Sequence, residues 1–167
     1  MAKLAKNSLL TVAFATVLTV SVSAPAPSFA GLYLPVNDAA ESAGFFDLGS
    51  MKAVKRERWG WYVVVAKHVP SALPDRADVV ALNIRFDCAR GQMQIVGSNR
   101  FLSDRRPLQL DSTSTDTAPV PPDTAFSRMM EAACDGKFEK AAAMETPAGF
   151  TMFDLSAAVK RAVAQQR

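Results

Sequence analysis

The amino-acid sequence predicts an α+β fold: a twisted antiparallel sheet of four to six strands, one helix joined to it by a disulfide, and a C-terminal helix. The segment from Val79 to Cys88 alternates in polarity, which is typical of a strand with one face on a core. Apolar residues recur at helical spacing in the segment that ends at Cys134. A second amphipathic helical pattern runs from Phe153 to Gln166.

Residues 1–30 have the three-part pattern of a cleavable secretory signal. Lys3 and Lys6 form a positively charged start, the stretch 9–22 is uncharged and mostly apolar, and a polar segment containing prolines follows. Small residues at positions 28 and 30 predict cleavage after Ala30, which leaves a single mature domain at 31–167. The alternative is an uncleaved anchor, but the apolar stretch is shorter than the ~20 residues of a membrane-spanning helix.

The charge of the mature domain is close to balanced. The whole chain carries +3, and removal of Lys3 and Lys6 would lower this to about +1, because no acidic residue leaves with them. Such a balance gives no general reason to expect nucleic acid or an anionic membrane as a partner. Since no cysteine lies near the cleavage site, no lipid anchor is expected either. We therefore expect an exported protein, periplasmic or secreted.

The chain contains two cysteines, Cys88 and Cys134. In an oxidising compartment they most simply form one disulfide. Closing this loop is worth roughly 4 kcal/mol by the chain-entropy relation, which is comparable with the whole net stability of such a domain. The alternative is a reactive thiol pair, which the spacing disfavours because it is unlike C-x-x-C.

The predicted strands are short segments rich in apolar, β-branched or aromatic residues. They lie at 44–49, in the second half of 51–69, and at 79–88, 92–96 and 108–110, after an extended lead-in at 31–37. In the second of these strands, Trp59 and Trp61 share a face with the valines at 63 and 65. In the 79–88 strand, alternation places one set of side chains on the core, namely Val80, Leu82, Ile84, Phe86 and Cys88.

The second half of the sequence is predicted to be mostly helical. Residues 111–122 are polar and then rich in proline, so a loop is expected there. Asp123 follows two prolines, in the position of an N-cap, and Gly136 is placed to end the helix in the left-handed conformation. Residues 137–144 are also expected to extend helically.

The order of several motifs resembles the bacterial surface-adhesin protein E family. These motifs are D-L-G-S at 47–50, W-x-W-Y-V-V-V at 59–65, F-D-C ending at Cys88, a hairpin return, a Pro-rich loop, and A-A-C ending at Cys134. The resemblance covers Phe45 to Gly136 and implies a small exported domain with a twisted antiparallel sheet, a helix and one disulfide. The family's namesake is a lipoprotein adhesin, whereas this chain has no lipobox cysteine and adds a C-terminal helical extension from about Phe138.

Few residues have the types and spacing that catalysis needs. His68 is the only histidine, which excludes a histidine-based metal cluster. No phosphate-binding loop, dinucleotide fingerprint or nucleophile elbow is present, so neither a cofactor nor a metal is expected. Carboxylates remain as the route to hydrolytic chemistry. The acids considered are Asp87, Asp104, Asp111 and Asp116.

One stretch combines positive charge with aromatic side chains, a combination that suits proteins, glycans and anionic polymers. This predicted binding surface consists of Lys52, Lys55, Arg56, Arg58, Trp59 and Trp61. The alternative interpretation is a strand with a charged outer face and its tryptophans in the core.

The function expected from the sequence is a non-enzymatic binding or accessory domain of the bacterial cell envelope. Its partner would be another envelope or extracellular protein, bound in an adhesin-like manner. The alternatives are a small carboxylate-dependent envelope hydrolase and a purely structural envelope protein.

Overall fold

The computed structural model describes residues 31–73, 76–111 and 115–166, so the predicted signal segment and its cleavage site lie outside the described residues. In chain order, the strands and α-helices are β1 (Leu32–Asp38), β2 (Ser42–Val54), β3 (Glu57–Ala66), β4 (Val79–Asp87), β5 (Gln92–Phe101), β6 (Pro107–Asp111), β7 (Ala118–Pro119), α1 (Ala125–Met130), β8 (Met144–Glu145) and α2 (Met152–Gln165). A π-helical turn, Glu131–Asp135, follows α1, and a 3-10 turn, Lys140–Ala142, precedes β8.

The strands form one eight-stranded sheet in the order β6-β5-β4-β3-β2-β1-β8, with β7 paired to β5. Every pairing is antiparallel, which confirms the predicted fold class. The number of strands exceeds the prediction for two reasons. The lead-in is a full strand, β1, and the two short strands β7 and β8 pair along the edges of longer ones.

Helices cover both faces of the sheet, and each encloses its own core. The core under α2 consists of Tyr33, Ala43, Phe45, Val63, Val65, Val79, Ala81, Met152 and Leu155. The core under α1 consists of Leu34, Val36, Phe46, Leu48, Tyr62, Ile84, Phe86, Met129, Ala132 and Ala133.

This arrangement corrects the predicted faces of β4. Ile84 and Phe86 are fully buried, as expected, but Val79 and Ala81 on the opposite face are also only 1% exposed. The reason is that α2 covers the opposite face at the start of β4. Alternation between a buried and a more open face therefore describes only the half of β4 nearest Cys88.

The disulfide joins the end of β4 to the helical segment after α1. Cys88 and Cys134 are bonded, with their Cα atoms 5.7 Å apart, which confirms the predicted pair. The π-helical turn that continues α1 ends at Gly136, whose φ of 66° is the predicted left-handed conformation. The cap at the other end is Thr124 and not Asp123, because the Thr124 hydroxyl accepts from the backbone of Ser127 in a capping box.

Helix α2 is confirmed, whereas the helical extension predicted at 137–144 is wrong. That segment forms a single 3-10 turn and then β8, which pairs with β1. Helix α2 begins after the N-cap Thr151 and packs through Phe153 against Phe101, with ring centroids 5.3 Å apart. An ion pair also attaches α2 to the sheet, because Nζ of Lys160 lies 3.1 Å from Oδ2 of the buried Asp78.

Candidate functional site

Helix α2 covers only part of its face of the sheet, and the rest of that face is uncovered. In the register of β3 and β4, Trp61 lies opposite Asn83 and Trp59 lies opposite Arg85, so these four side chains share one face. None of them is fully buried. We call this surface the open face. It consists of Lys52, Val54, Glu57, Trp59, Trp61, Asn83, Arg85, Asp87, Gln92 and Gln94.

A wide bulge in β2 shapes one side of the open face. Asp47 pairs with Trp61 and Lys52 pairs with Trp59, so residues 48–51 together stand opposite Gly60 alone. The Ser50 hydroxyl bridges the gap, because it donates to the Asp47 carbonyl at 2.9 Å and accepts from the Trp61 backbone N–H at 3.3 Å.

The bulge borders a shallow concavity of about 320 Å³. Its lining combines the two indoles with a lysine, an amide and a hydroxyl, which are the group types found in small-molecule sites. The lining residues are Ser50, Lys52, Val54, Trp59, Gly60, Trp61 and Asn83. Every tryptophan of the chain therefore lies at this concavity.

A line of polar contacts holds Trp59 in place. Its indole N–H donates to Oε2 of Glu57 at 3.2 Å, and Oε1 of Glu57 lies 3.4 Å from Nη1 of Arg85. Arg85 in turn donates from Nη2 to the Thr117 hydroxyl at 3.4 Å. The contacts link β3 to β4 and to the segment that precedes β7. A side chain held in this way loses less conformational entropy when a ligand binds.

The structure separates the basic residues that the sequence placed together. Lys52 lines the concavity beside both tryptophans, and Lys55 and Arg56 form the turn between β2 and β3. Arg58 projects from the opposite face of β3, because side chains alternate along a strand, and its Nη1 donates to the Glu57 carbonyl at 3.0 Å.

A second concavity, of about 470 Å³, adjoins the first through Val54. It holds Lys55, Arg56 and Arg90 together with Glu57 and Asp87. The negative charge of each acid is compensated by an arginine: Glu57 pairs with an arginine of β4, and Asp87 lies 3.7 Å from Nη1 of Arg90. The lysine and arginine of the β2–β3 turn make no ion pair with any described residue. This end of the open face therefore carries an excess of positive charge.

Asp47 is a buried carboxylic acid at the base of the bulge. It is 1% exposed, and its Oδ1 accepts from the Ser50 backbone N–H at 3.1 Å. Burial raises its pKa, and hydrogen bonds from Ser50 and Gly49 act in the opposite direction. Its neighbour across β1 and β2 is Tyr33, whose pKa is also raised, first by burial and then by the charge of Asp47.

Two of the acids considered from the sequence, Asp87 and Asp104, lie far apart. Asp87 ends β4 and Asp104 follows β5, so the ten-residue strand β5 separates them by about 30 Å. The structure instead brings Asp87 opposite Glu57 on the open face, a pairing that only the strand register reveals. In the described ranges, no three histidines, cysteines or acids are grouped as metal ligands would be.

No described helix is long and apolar enough to cross a membrane.

No protein family and no curated protein matches this chain. Among solved structures it is similar to Haemophilus influenzae protein E, with 15% identity and a TM-score of 0.46 over 62% of this chain and 84% of that chain. Crystal form II of the same protein has 15% identity and a TM-score of 0.46, over 62% of this chain and 87% of that chain. Protein E from non-typeable Haemophilus influenzae has 13% identity and a TM-score of 0.41, over 81% of this chain and 89% of that chain. At this level of similarity the matches assign neither a family nor a function.

The sequence did not point to Asn83, Arg85 or Gln94 as site residues. They lie on β4 and β5 and reach the tryptophans only through the register of the sheet. The available signal was the polar character of alternate positions in the second half of β4, where an outer face was expected.

Proposed function

We propose that this protein is an exported, non-enzymatic binding domain of the bacterial cell envelope, and that its ligand docks on the open face. The observation that carries the proposal is the pair Trp59 and Trp61. They are only partly buried, and they flank a concavity that also holds Lys52. Tryptophan is enriched among the residues that dominate binding energies, because it offers a large apolar surface with one polar group.

The architecture supports a binding role for this part of the sheet. Helix α2 covers the neighbouring half of the same face and buries Phe45 and Val63 there, and Trp61 packs against the edge of that core while it stays partly exposed. The Glu57 contact orients the indole of Trp59 on the surface. The open face thus has the properties of a preorganised docking surface on a rigid sheet.

The disulfide supports an exported location. Disulfides persist in oxidising compartments such as the periplasm and the extracellular space, and the Cys88–Cys134 bond is of this structural kind. The secretory pattern of residues 1–30 supports the same location. We therefore propose that the mature domain lies in the periplasm or outside the cell.

A carboxylate-dependent envelope hydrolase is the second candidate function, and the pair Glu57 and Asp87 favours it. These acids face each other across β3 and β4 on the open face, and paired carboxylates can hydrolyse glycosidic bonds. However, each already contacts an arginine, and Oδ1 of Asp87 accepts two backbone N–H groups of the following turn at 3.2 Å. These contacts give both acids a structural role, so binding is the preferred function. Loss of a measured glycan-hydrolysing activity in Glu57→Gln and Asp87→Asn would favour the hydrolase.

The test is affinity capture from fractionated envelope extract, with the protein immobilised. The matched variants are Lys52→Ser on the open face and Arg58→Ser on the opposite face. We expect a component retained by the original protein and by Arg58→Ser to be lost by Lys52→Ser. Retention that is equal on all three, or lost equally from both variants, would contradict a binding site on the open face. Thermal melts of both variants control for folding.

A further inference from the structure

We propose that the ligand of the open face is an acidic polysaccharide, with sugar rings packed on Trp59 and Trp61 and a carboxylate held by Lys52. This inference rests on the proposed binding function and names its ligand class. Three properties of the surface support it: the spacing of the indoles, the polar groups around them, and the distribution of charge.

The two indoles are arranged as successive platforms along one strand. Trp59 and Trp61 are two positions apart on β3, so their Cα atoms lie about 7 Å apart on the same face. An indole presents a flat apolar surface comparable in size with a pyranose ring, and the C–H groups of a sugar pack against it. Two platforms in a row match a chain of repeated rings.

Hydroxyl-bonding groups surround these platforms. Asn83 lies opposite Trp61 at the concavity, and its amide makes no hydrogen bond to any described residue. An amide carries donors and an acceptor, so it can bond neighbouring sugar hydroxyls in either sense. Gln92 continues the same face on β5, whereas the Gln94 amide already donates to the Thr115 carbonyl at 2.7 Å and the Ser50 hydroxyl is engaged within the bulge.

The charges favour an anionic ligand over a neutral one. Lys52 makes no ion pair with a described residue, and neither does Lys55 or Arg56 in the adjoining turn. Glu57, in contrast, is already paired with Arg85. A linear polyanion lying over the indoles would therefore meet uncompensated ammonium and guanidinium groups along β2 and the turn. Their attraction would fall with added salt, because these side chains are exposed to solvent.

Intrinsic fluorescence provides the test, since both tryptophans of the chain lie at the site. The purified protein is titrated with three probes: oligogalacturonate, an uncharged dextran of similar length, and polyglutamate. We expect a saturable change in emission with oligogalacturonate. Binding of dextran and of polyglutamate should be about tenfold weaker or more. Dextran lacks the negative charge, and polyglutamate lacks the sugar rings.

Two variants and added salt test whether binding depends on Lys52 and on charge. Lys52→Ser should weaken oligogalacturonate binding about fivefold or more, and raised salt should weaken it further, whereas Arg58→Ser should bind as the original protein does. The inference is overturned if oligogalacturonate leaves the emission unchanged, or if polyglutamate or dextran binds equally well. If an envelope protein is instead captured in a Lys52-dependent manner while oligogalacturonate does not bind, the proposed function stands and the polysaccharide assignment fails.

Discussion

The indole N–H of Trp59 donates to Oε2 of Glu57 at 3.2 Å, so an aromatic platform of the open face is fixed by an acid two residues earlier on the same strand. Glu57 is itself held by Arg85 of the neighbouring strand. The orientation of Trp59 therefore depends on the pairing of β3 with β4. This connects the fold directly to the proposed binding surface.

The first prediction concerns that contact. In Glu57→Ala the indole of Trp59 loses its acceptor, so its ring should become more mobile and more hydrated. We expect a red-shifted fluorescence emission and binding weakened severalfold through lost preorganisation. Glu57→Gln keeps an acceptor oxygen at the same place and is the control; its emission should stay close to that of the original protein. Identical spectra for the two variants would contradict the positioning role of Glu57.

The second prediction concerns the disulfide. Cys88→Ser and Cys134→Ser each open a loop with a sequence separation of 46. The free energy of unfolding of the oxidised protein should fall by roughly 4 kcal/mol in either variant. Denaturant unfolding measures this, and reduction of the original protein should reproduce the loss. A melt unchanged by either substitution would falsify the structural role of the bond.

The third prediction concerns Asp47 and pH. Burial raises its folded-state pKa above the unfolded value of about 3.9, so the folded protein binds this proton more tightly than the unfolded chain does. The charged form is therefore destabilising, and its effect grows as the pH rises from the unfolded pKa through the folded one.

Asp47→Asn cannot ionise and should escape this effect. The free energy of unfolding of the variant, relative to the original protein, should increase across that pH range and then level off. The slope cannot exceed about 1.4 kcal/mol per pH unit for one proton. Urea unfolding at a series of pH values measures the difference. Parallel stability curves for the two proteins would rule out a raised pKa at Asp47.

The fourth prediction concerns the attachment of α2. Lys160→Met leaves the carboxylate of Asp78 buried without its charged partner, at 7% side-chain exposure. The free energy of unfolding should fall by about 2 kcal/mol. Lys137→Met is the matched control, because its partner Asp135 is half exposed and surface pairs contribute about 0–1 kcal/mol. An equal fall in the free energy of unfolding of the two variants would show that the buried ion pair stabilises the protein no more than an exposed one does.

The sequence was sufficient for the fold class because two cysteines allow only one pair, and because strand-forming composition and the helical periodicity of α1 and α2 are local signals. It failed where the outcome depended on what covers a strand. Val79 and Ala81 have the positions of outer-face residues in an isolated strand, yet α2 buries them. No pattern within β4 indicates a helix that arrives from residues 152–165.

The candidate site shows the same division between local and non-local information. The local sequence points to Trp59, Trp61 and Lys52, and these residues line one concavity. Arg58 is adjacent to them in sequence, but the two-residue period of β3 places it on the opposite face. Asn83 joins the site through strand register, which requires the pairing of β3 and β4 to be known.

The most direct test of the account compares the dissociation constants of Lys52→Ser and Arg58→Ser for the envelope fraction that binds the original protein. Both substitutions remove one positive charge from the same stretch of sequence, and they differ in the face from which the side chain projects. We predict that Lys52→Ser binds at least about fivefold more weakly while Arg58→Ser is unchanged. Equal weakening by the two variants, or weakening by Arg58→Ser alone, would contradict a binding site on the open face.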